Sequence, residues 1–473
     1  MLYDFAKGPI VSDDPYDVCI LGAGAAGITL AVRLGRAGKR VALCEGGGLD
    51  YEDESQEIYA GSTFGDPYFD LDIARLRYFG GSTNHWGGYC RSFEATDFNR
   101  GHMGDDFRWP ITYDELLAYR PEACEIVEID PDYQDHVVDE QLGLRQVDFK
   151  YSPPVVFSEK FHDEIENSKN IDLFLNANFV DLVGAYRRVR SVKLRNYADQ
   201  ELEIRSDAVV FAMGGIDNSR QLLWMERKHG AALFDRDLPI GRYWMEHPHF
   251  TIGEALIKSW DQANLYFALT EKMQRTLGIL GCGVVVEEQG DSTTKRLVKD
   301  LLCVAPGVGA WAADLAGKKL ICSYKFHAAW EQAPNRDNRV ALSERDADRF
   351  GVPLSELHWN KAPIDRETML ASTQQFNAYI LRENLGRLQL RDWVYQGDEY
   401  PDDDVLAGYH HMGGTRMSHT PRYGVVDGNC KVFGSENLYM AGSSLYTTSG
   451  YNNPTLAIVQ FALRLADHLG AGV

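Results

Sequence analysis

The chain has 473 residues, 44% hydrophobic and 11% aromatic, enough for two or three domains or one large two-lobed unit with a substantial core. A formal net charge of -21 argues against nucleic acid or an anionic membrane surface as partner. The cysteines show no Cys-x-x-Cys pair and no zinc spacing, and neither a signal pattern nor an apolar run of bilayer length occurs, so a soluble, cytoplasmic, metal-free protein is expected.

In chain order, residues 17–21 (DVCIL) read as a buried parallel strand. The turn Gly22-Ala-Gly24-Ala-Ala-Gly27 follows, then a helix over 28–38, a strand over 40–44 and Glu45. The first glycine suits the tight turn, the second admits a pyrophosphate against the backbone, and the third lets helix and strand pack. Glu45 falls about twenty residues on, where a carboxylate accepts hydrogen bonds from a ribose diol and repels a 2′-phosphate. An adenine dinucleotide is therefore expected on this crossing. Cys19 and Cys44 lie in its strands and read as plain core residues.

YFGGSTNHWGG (78–88) is a glycine-bracketed loop able to run close along a flat ligand, or an ordinary surface loop. The acidic, aromatic stretch 104–135 suggests a proline-initiated helix. Strands are expected over 171–175, 190–195 and 208–212; the last leads through Gly214-Gly215 into a helix over 217–224, a second return to the nucleotide sheet. From 250 to about 404 the pattern changes to strands, such as 282–286 and 320–324, with few crossover helices, and 333–343 reads as a turn entering a strand. This predicts a separate, mostly antiparallel sheet that roofs the cofactor. The expected division is residues 1–103, 180–249 and 405–473 for the dinucleotide-binding domain, and 104–179 and 250–404 for the substrate domain. The aromatics Trp311, Tyr324, Phe326 and Trp330 suit a core first and a substrate pocket second.

The closing segment carries YHHMGGTRMS (409–418), a strand over 437–441, a polar loop over 442–453 and a helix from Pro454. Asn453 suits the N-cap and Pro454 the first helical position, so this end offers free N–H groups and partial positive charge to an anion or an electron-rich ring edge.

Four blocks together resemble the glucose–methanol–choline (GMC) family of flavoprotein oxidoreductases: GAGAAG…CEGG, GGSTNHWGG, APNRDNRVALSERDADRFG, and HHMGGTRMS…NLYMAGSS…NNPTLAIVQFALRLADHL, with GRYWMEHPHF (241–250) a weaker fifth. They span essentially the whole chain. The resemblance implies a Rossmann-type α/β domain binding extended FAD and a second, mostly antiparallel domain over the isoalloxazine. It is nearest the sugar-oxidising branch, which includes pyranose oxidases, fructose and gluconate dehydrogenases and glycoside 3-oxidases.

What the resemblance implies for residues follows the motifs. His410 takes the place of the base that removes the hydroxyl proton, with adjacent His411 as second choice and Asn453 as partner. FAD contacts are expected from Gly22, Gly24, Ala26, Gly27 and Glu45, from Gly80, Ser82, Asn84, His85, Gly87 and Gly88, and from Gly442, Ser443, Asn453, Pro454 and Thr455. In pyranose oxidases a histidine in a Ser-Thr-His-Trp context bonds to the flavin; here Asn84 interrupts that string before His85, which leaves covalent attachment open. The implied reaction is oxidation of a secondary alcohol of a sugar or glycoside to a ketone, with electrons passing to oxygen or an external acceptor. A hydroxynitrile-lyase-like activity on the same fold and a dehydrogenase acting on a non-sugar alcohol stand as alternatives, and an oligomer is possible.

Overall fold

The computed structural model describes residues 1–10, 14–257, 264–287, 324–397, 399–401, 405–406 and 408–472. Its largest sheet runs in the order Leu2–Asp4, Ile171–Leu175, Val41–Cys44, Tyr16–Leu21, Glu201–Phe211, Arg188–Arg195, Asn178–Ala185, with Leu438–Met440 also pairing Glu201–Phe211. The long strand Glu201–Phe211 shows how sequence selects sheet type. Its first half alternates exposed and buried residues and pairs antiparallel with Arg188–Arg195. Its second half, buried throughout from Ala208, pairs parallel with Tyr16–Leu21 and Leu438–Met440. A strand covered on both faces must be apolar at every position, whereas one with a wet face needs only every second residue.

The dinucleotide crossing forms as the sequence predicts. Strand Tyr16–Leu21 enters the glycine turn, helix Ala25–Arg36 crosses back, and Val41–Cys44 pairs parallel beside the first strand. Cys19 and Cys44 are buried free thiols with Sγ atoms 3.9 Å apart. The closing helix Pro454–Gly470 packs on Ala25–Arg36 through its apolar face, burying Leu456, Val459, Leu463 and Ala466. This packing joins the two ends of the chain.

A second, seven-stranded sheet is antiparallel throughout, in the order Gly386–Leu390, His249–Ile257, Tyr324–Trp330, Cys282–Glu287, Asn264–Leu269, Leu144–Val147, His136–Asp139. Helix Pro363–Arg382 covers one face, with Phe376 stacked on Phe326 at 5.4 Å between ring centroids. A small third sheet joins Arg339–Ala347, Pro353–Trp359 and Gly61–Gly65.

Several elements differ from what the sequence pattern predicts. The stretch 104–135 holds two helices: Tyr113–Leu117, opened by a reciprocal capping box between Thr112 and Glu115, and Arg120–Ile126, which carries Pro121 in its first turn as the proline-initiated helix expected there. Helix Gly214–His229 begins at the glycine pair and runs past Trp224. The expected strand Ile171–Leu175 pairs parallel with Val41–Cys44 in the largest sheet although it lies within 104–179, while the two strands of 136–147 run in the antiparallel sheet. Of the strand expected at 320–324, residues 320–323 lie outside the described residues, as does Trp311; Tyr324 opens the observed strand. Phe326 and Trp330 are fully buried in the core of the antiparallel sheet, so neither is a pocket residue.

Candidate active site

A cavity of about 730 Å³ runs from the glycine turn to the antiparallel sheet. At one end it is lined by Gly22, Gly24, Ala26 and Glu45. The Glu45 carboxylate is buried and accepts from the Ala23 N–H at 2.9 Å and the Gly47 N–H at 3.0 Å, which hold it at the rim of the turn. The turn has the shape a pyrophosphate requires. A Cβ on Gly24 would meet nothing nearer than the Gly81 Cα at 4.0 Å, and its φ is ordinary, so the space above it is open. A Cβ on Gly27 would lie 1.9 Å from the Gly22 carbonyl oxygen. Gly27 therefore serves helix–strand packing and does not line the cavity.

The cavity is further walled by Ser82, His85, Gly87 and Gly88 and by Gly442, Ser443, Pro454 and Thr455. Gly80 and Asn84 stand behind this wall. The Gly80 N–H donates to the Ala23 carbonyl at 2.9 Å, and the Asn84 side chain donates to the Phe79 carbonyl and accepts from Ser158 Oγ. These two residues tie the loop to the turn and to the helix beyond, rather than facing the cavity. His85 is exposed to the cavity, and the protein around it lowers its pKa by partial desolvation.

At the junction with the antiparallel sheet, the chain brings together His410, Asn453 and two residues that the sequence alone does not single out, His247 and Glu246. Asn453 Nδ2 lies 3.3 Å from His410 Nε2. Asn453 occupies the N-cap position of the closing helix but makes no side-chain capping hydrogen bond, which corrects the double role expected of it. On its far side, His410 Nδ1 lies 2.9 Å from Nδ1 of His247, whose Nε2 is 3.2 Å from the Ser449 carbonyl oxygen. Glu246 holds both histidines by their backbones. Its carboxylate accepts from His410 N at 2.8 Å, from His247 N at 2.8 Å and from the Tyr68 hydroxyl at 2.6 Å.

Electrostatics keep these rings neutral. The pKa of His410 is lowered well below the ordinary histidine range by burial first, then by His247, His249 and His411. Burial likewise takes His247 down to about 4, and His411 down to about 3 with help from Arg75. Burial pushes Glu246 up to about 7, against the hydrogen bonds that favour its ionised form. His411 also lines the cavity, but its ring packs against Tyr68 and Trp244 and its Nε2 has no hydrogen-bond partner among the described residues. Of the adjacent histidines, His410 is the one whose Nε2 reaches Asn453.

The antiparallel sheet and its neighbours supply another part of the lining. Phe149 and Tyr266, with ring centroids 4.5 Å apart, face the cavity together with Tyr451, His249, Glu287 and His327. His327 Nε2 lies 3.0 Å from the Glu287 carboxylate. None of these is singled out by the sequence pattern. His247 and His249 stand in the weak fifth block, where their presence in a run otherwise matching the family is a usable signal. The strand residues carry none.

A nucleotide crossing roofed by an antiparallel sheet, with a neutral histidine and an amide meeting where the two join, defines a flavin-dependent alcohol oxidoreductase. Comparisons with known proteins agree. Residues 334–462 match the family model described as GMC oxidoreductase. The chain is 22% identical over 97% of its length to 2-methyl-1,2-propanediol dehydrogenase of Mycolicibacterium austroafricanum, covering 96% of that protein. It is 27% identical over 34% of its length to the fructose dehydrogenase large subunit of Gluconobacter japonicus, covering 29% of that protein. The structure is similar to that of pyridoxine 4-oxidase from Mesorbium loti, with a TM-score of 0.63 and 16% identity over 96% of this chain and 99% of the other. The chain is an FAD-dependent oxidoreductase acting on CH–OH donors, and its residues 334–462 resemble the corresponding part of the GMC oxidoreductases. Among the described residues, no helix is long and apolar enough to cross a membrane.

Proposed function

We propose that the enzyme oxidises a secondary alcohol of a sugar or glycoside to the ketone, with His410 as base and Asn453 as its partner. The observation that carries this reading is the make-up of one cavity. It is lined by His410 and Asn453 and also by an aromatic pair, Phe149 and Tyr266, with Glu287, His327 and Tyr451. A flat aromatic face takes the C–H surface of a sugar ring, and the few polar groups around it take hydroxyls, which is how a largely apolar pocket fixes the orientation of a polar ligand.

FAD would be held by the Gly22–Gly27 turn and Glu45 at the adenosine end and by the start of the closing helix at the ring end; when bound, it supplies the hydride acceptor. The chain does the rest. His410 Nε2 takes the hydroxyl proton as the carbonyl forms, and the Asn453 amide holds the substrate oxygen beside it. The free N–H groups after Pro454 place partial positive charge at the cavity wall, where developing negative charge is stabilised. His247 at Nδ1 and Glu246 at the backbone N–H hold the base and restrict its motion.

A second reading rests on a specific finding. The relative matching nearly the whole chain is named for a small branched diol, whereas the match to the sugar dehydrogenase covers about a third of the chain. Anaerobic bleaching of the bound flavin with a panel of pyranoses, O- and C-glycosides and vicinal diols separates the two. Bleaching by sugars or glycosides supports the first reading; bleaching by short diols alone replaces it with the second. A flavin that no alcohol bleaches would favour a lyase.

A further inference from the structure

The two histidines at the base site are arranged so that only one distribution of protons satisfies every contact. The Ser449 carbonyl oxygen can only accept, so His247 Nε2, at 3.2 Å, must carry a hydrogen. A neutral His247 then has a bare Nδ1. The facing His410 Nδ1, at 2.9 Å, must in turn be the donor. That leaves the lone pair on His410 Nε2, where the Asn453 Nδ2 amide, which can only donate, meets it at 3.3 Å. The opposite arrangement would set the bare Nε2 of His247 against the carbonyl lone pairs and put a hydrogen on the nitrogen that has to accept one.

We propose that His247 is a positioning residue: with Ser449 as its anchor it fixes the tautomer of His410, placing the hydrogen on Nδ1 and the basic lone pair on Nε2. Glu246 supports the arrangement by clamping the backbone N–H groups of both histidines. The depressed pKa of each ring fits the same picture, since the proton distribution requires both rings to be neutral. The chain of contacts ends on a backbone carbonyl, which cannot keep a proton. His247 therefore orients and does not carry the proton away; a proton taken up at Nε2 leaves by the same nitrogen. The device is the familiar one in which a partner on one imidazole nitrogen sets what the other can do.

The inference rests on His410 as the base, and its test separates the two. Histidine ¹⁵N spectra of the FAD-loaded enzyme, assigned with His410→Ala and His247→Leu, should show His410 protonated at Nδ1 and bare at Nε2. His247→Leu, which removes the acceptor, should give mixed tautomers and lower kcat about 10- to 100-fold with KM changed little, the usual cost of losing such a partner. In His247→Asn the amide oxygen takes the place of Nδ1, so the tautomer and most of kcat should return. A wild-type His410 that carries its hydrogen on Nε2 overturns the proposal even if neither variant folds. So does a His247→Leu enzyme with unchanged tautomer and rate. A fully active His410→Ala enzyme would instead defeat the base assignment and leave the tautomer result standing.

Discussion

The Asn453 amide reaches His410 Nε2 at 3.3 Å instead of capping the helix that Asn453 begins. An asparagine at this position normally accepts from an N–H of its own first turn, and loss of that bond costs about 1 kcal/mol. Here the bond is not made. Asn453→Ala should therefore leave the thermal midpoint almost unchanged while lowering turnover at least about 10-fold, as expected when a group that orients the reacting oxygen is removed. A variant that is clearly less stable yet turns over normally would show that Asn453 serves the helix after all.

His410→Ala should retain FAD and lower the rate of flavin bleaching by substrate about 100- to 10,000-fold, the range set by loss of a general base. Stopped-flow absorbance reads the effect directly. If bleaching stays near the wild-type rate, proton removal occurs elsewhere, and His411, which shares the cavity, is the next residue to replace.

The pH dependence follows from the direction of the His410 shift. A base works only when unprotonated, and burial together with the surrounding histidines lowers this pKa well below 6.5. Activity should thus be fully present above that value and fall only as pH drops through the lowered pKa. The kcat/KM profile should place its acid limb below about 6.5, the ordinary histidine value. An acid limb at or above it would mean that the neutral, desolvated base inferred from the structure is wrong.

Both ends of the chain are readable from sequence because local rules govern them. The glycine turn, the continuous apolar strands and the helical spacing of Leu456, Val459 and Leu463 each depend on a few neighbouring residues. The meeting of His410 with Asn453 is inferred only through family resemblance. The His247 contact spans 163 positions, and no periodicity in one sequence connects such residues. The same holds for Phe149, Tyr266 and Glu287, which face the cavity because separate segments meet there. Asn453 misleads in the opposite direction: its local preference for capping is real, but the tertiary contact wins.

Away from the cavity, Asp97 predicts a stability effect. It is buried, and burial first, then Glu331 and Glu94, raise its pKa to about 8, with Arg100 opposing. The folded chain thus keeps a proton that the unfolded chain releases at a carboxylate's ordinary value. Between those two values the folded state binds more protons, so stability falls as pH rises toward 8. Asp97→Asn removes that proton exchange and keeps an oxygen to accept from the Glu94 N–H, as Asp97 Oδ2 now does. Its thermal midpoint should exceed wild type at about pH 8 by more than at about pH 5. Parallel pH curves for the two proteins would reject the assignment.

The glycine turn gives the sharpest separation of binding from folding. A methyl group on Gly24 enters open space at an ordinary backbone angle, so Gly24→Ala should fold with unchanged apoprotein stability. That space is the approach a pyrophosphate needs, and FAD affinity should fall at least about 10-fold as the backbone is held away from it. On Gly27 the same methyl would lie 1.9 Å from the Gly22 carbonyl oxygen, so helix and strand must separate. Gly27→Ala should cost roughly 1–3 kcal/mol or more, the range for overpacking a tight contact. Flavin content by absorbance and apoprotein melting, measured on both variants, decide the matter. A Gly24→Ala protein that binds FAD at wild-type strength would show that the cofactor does not lie over this turn.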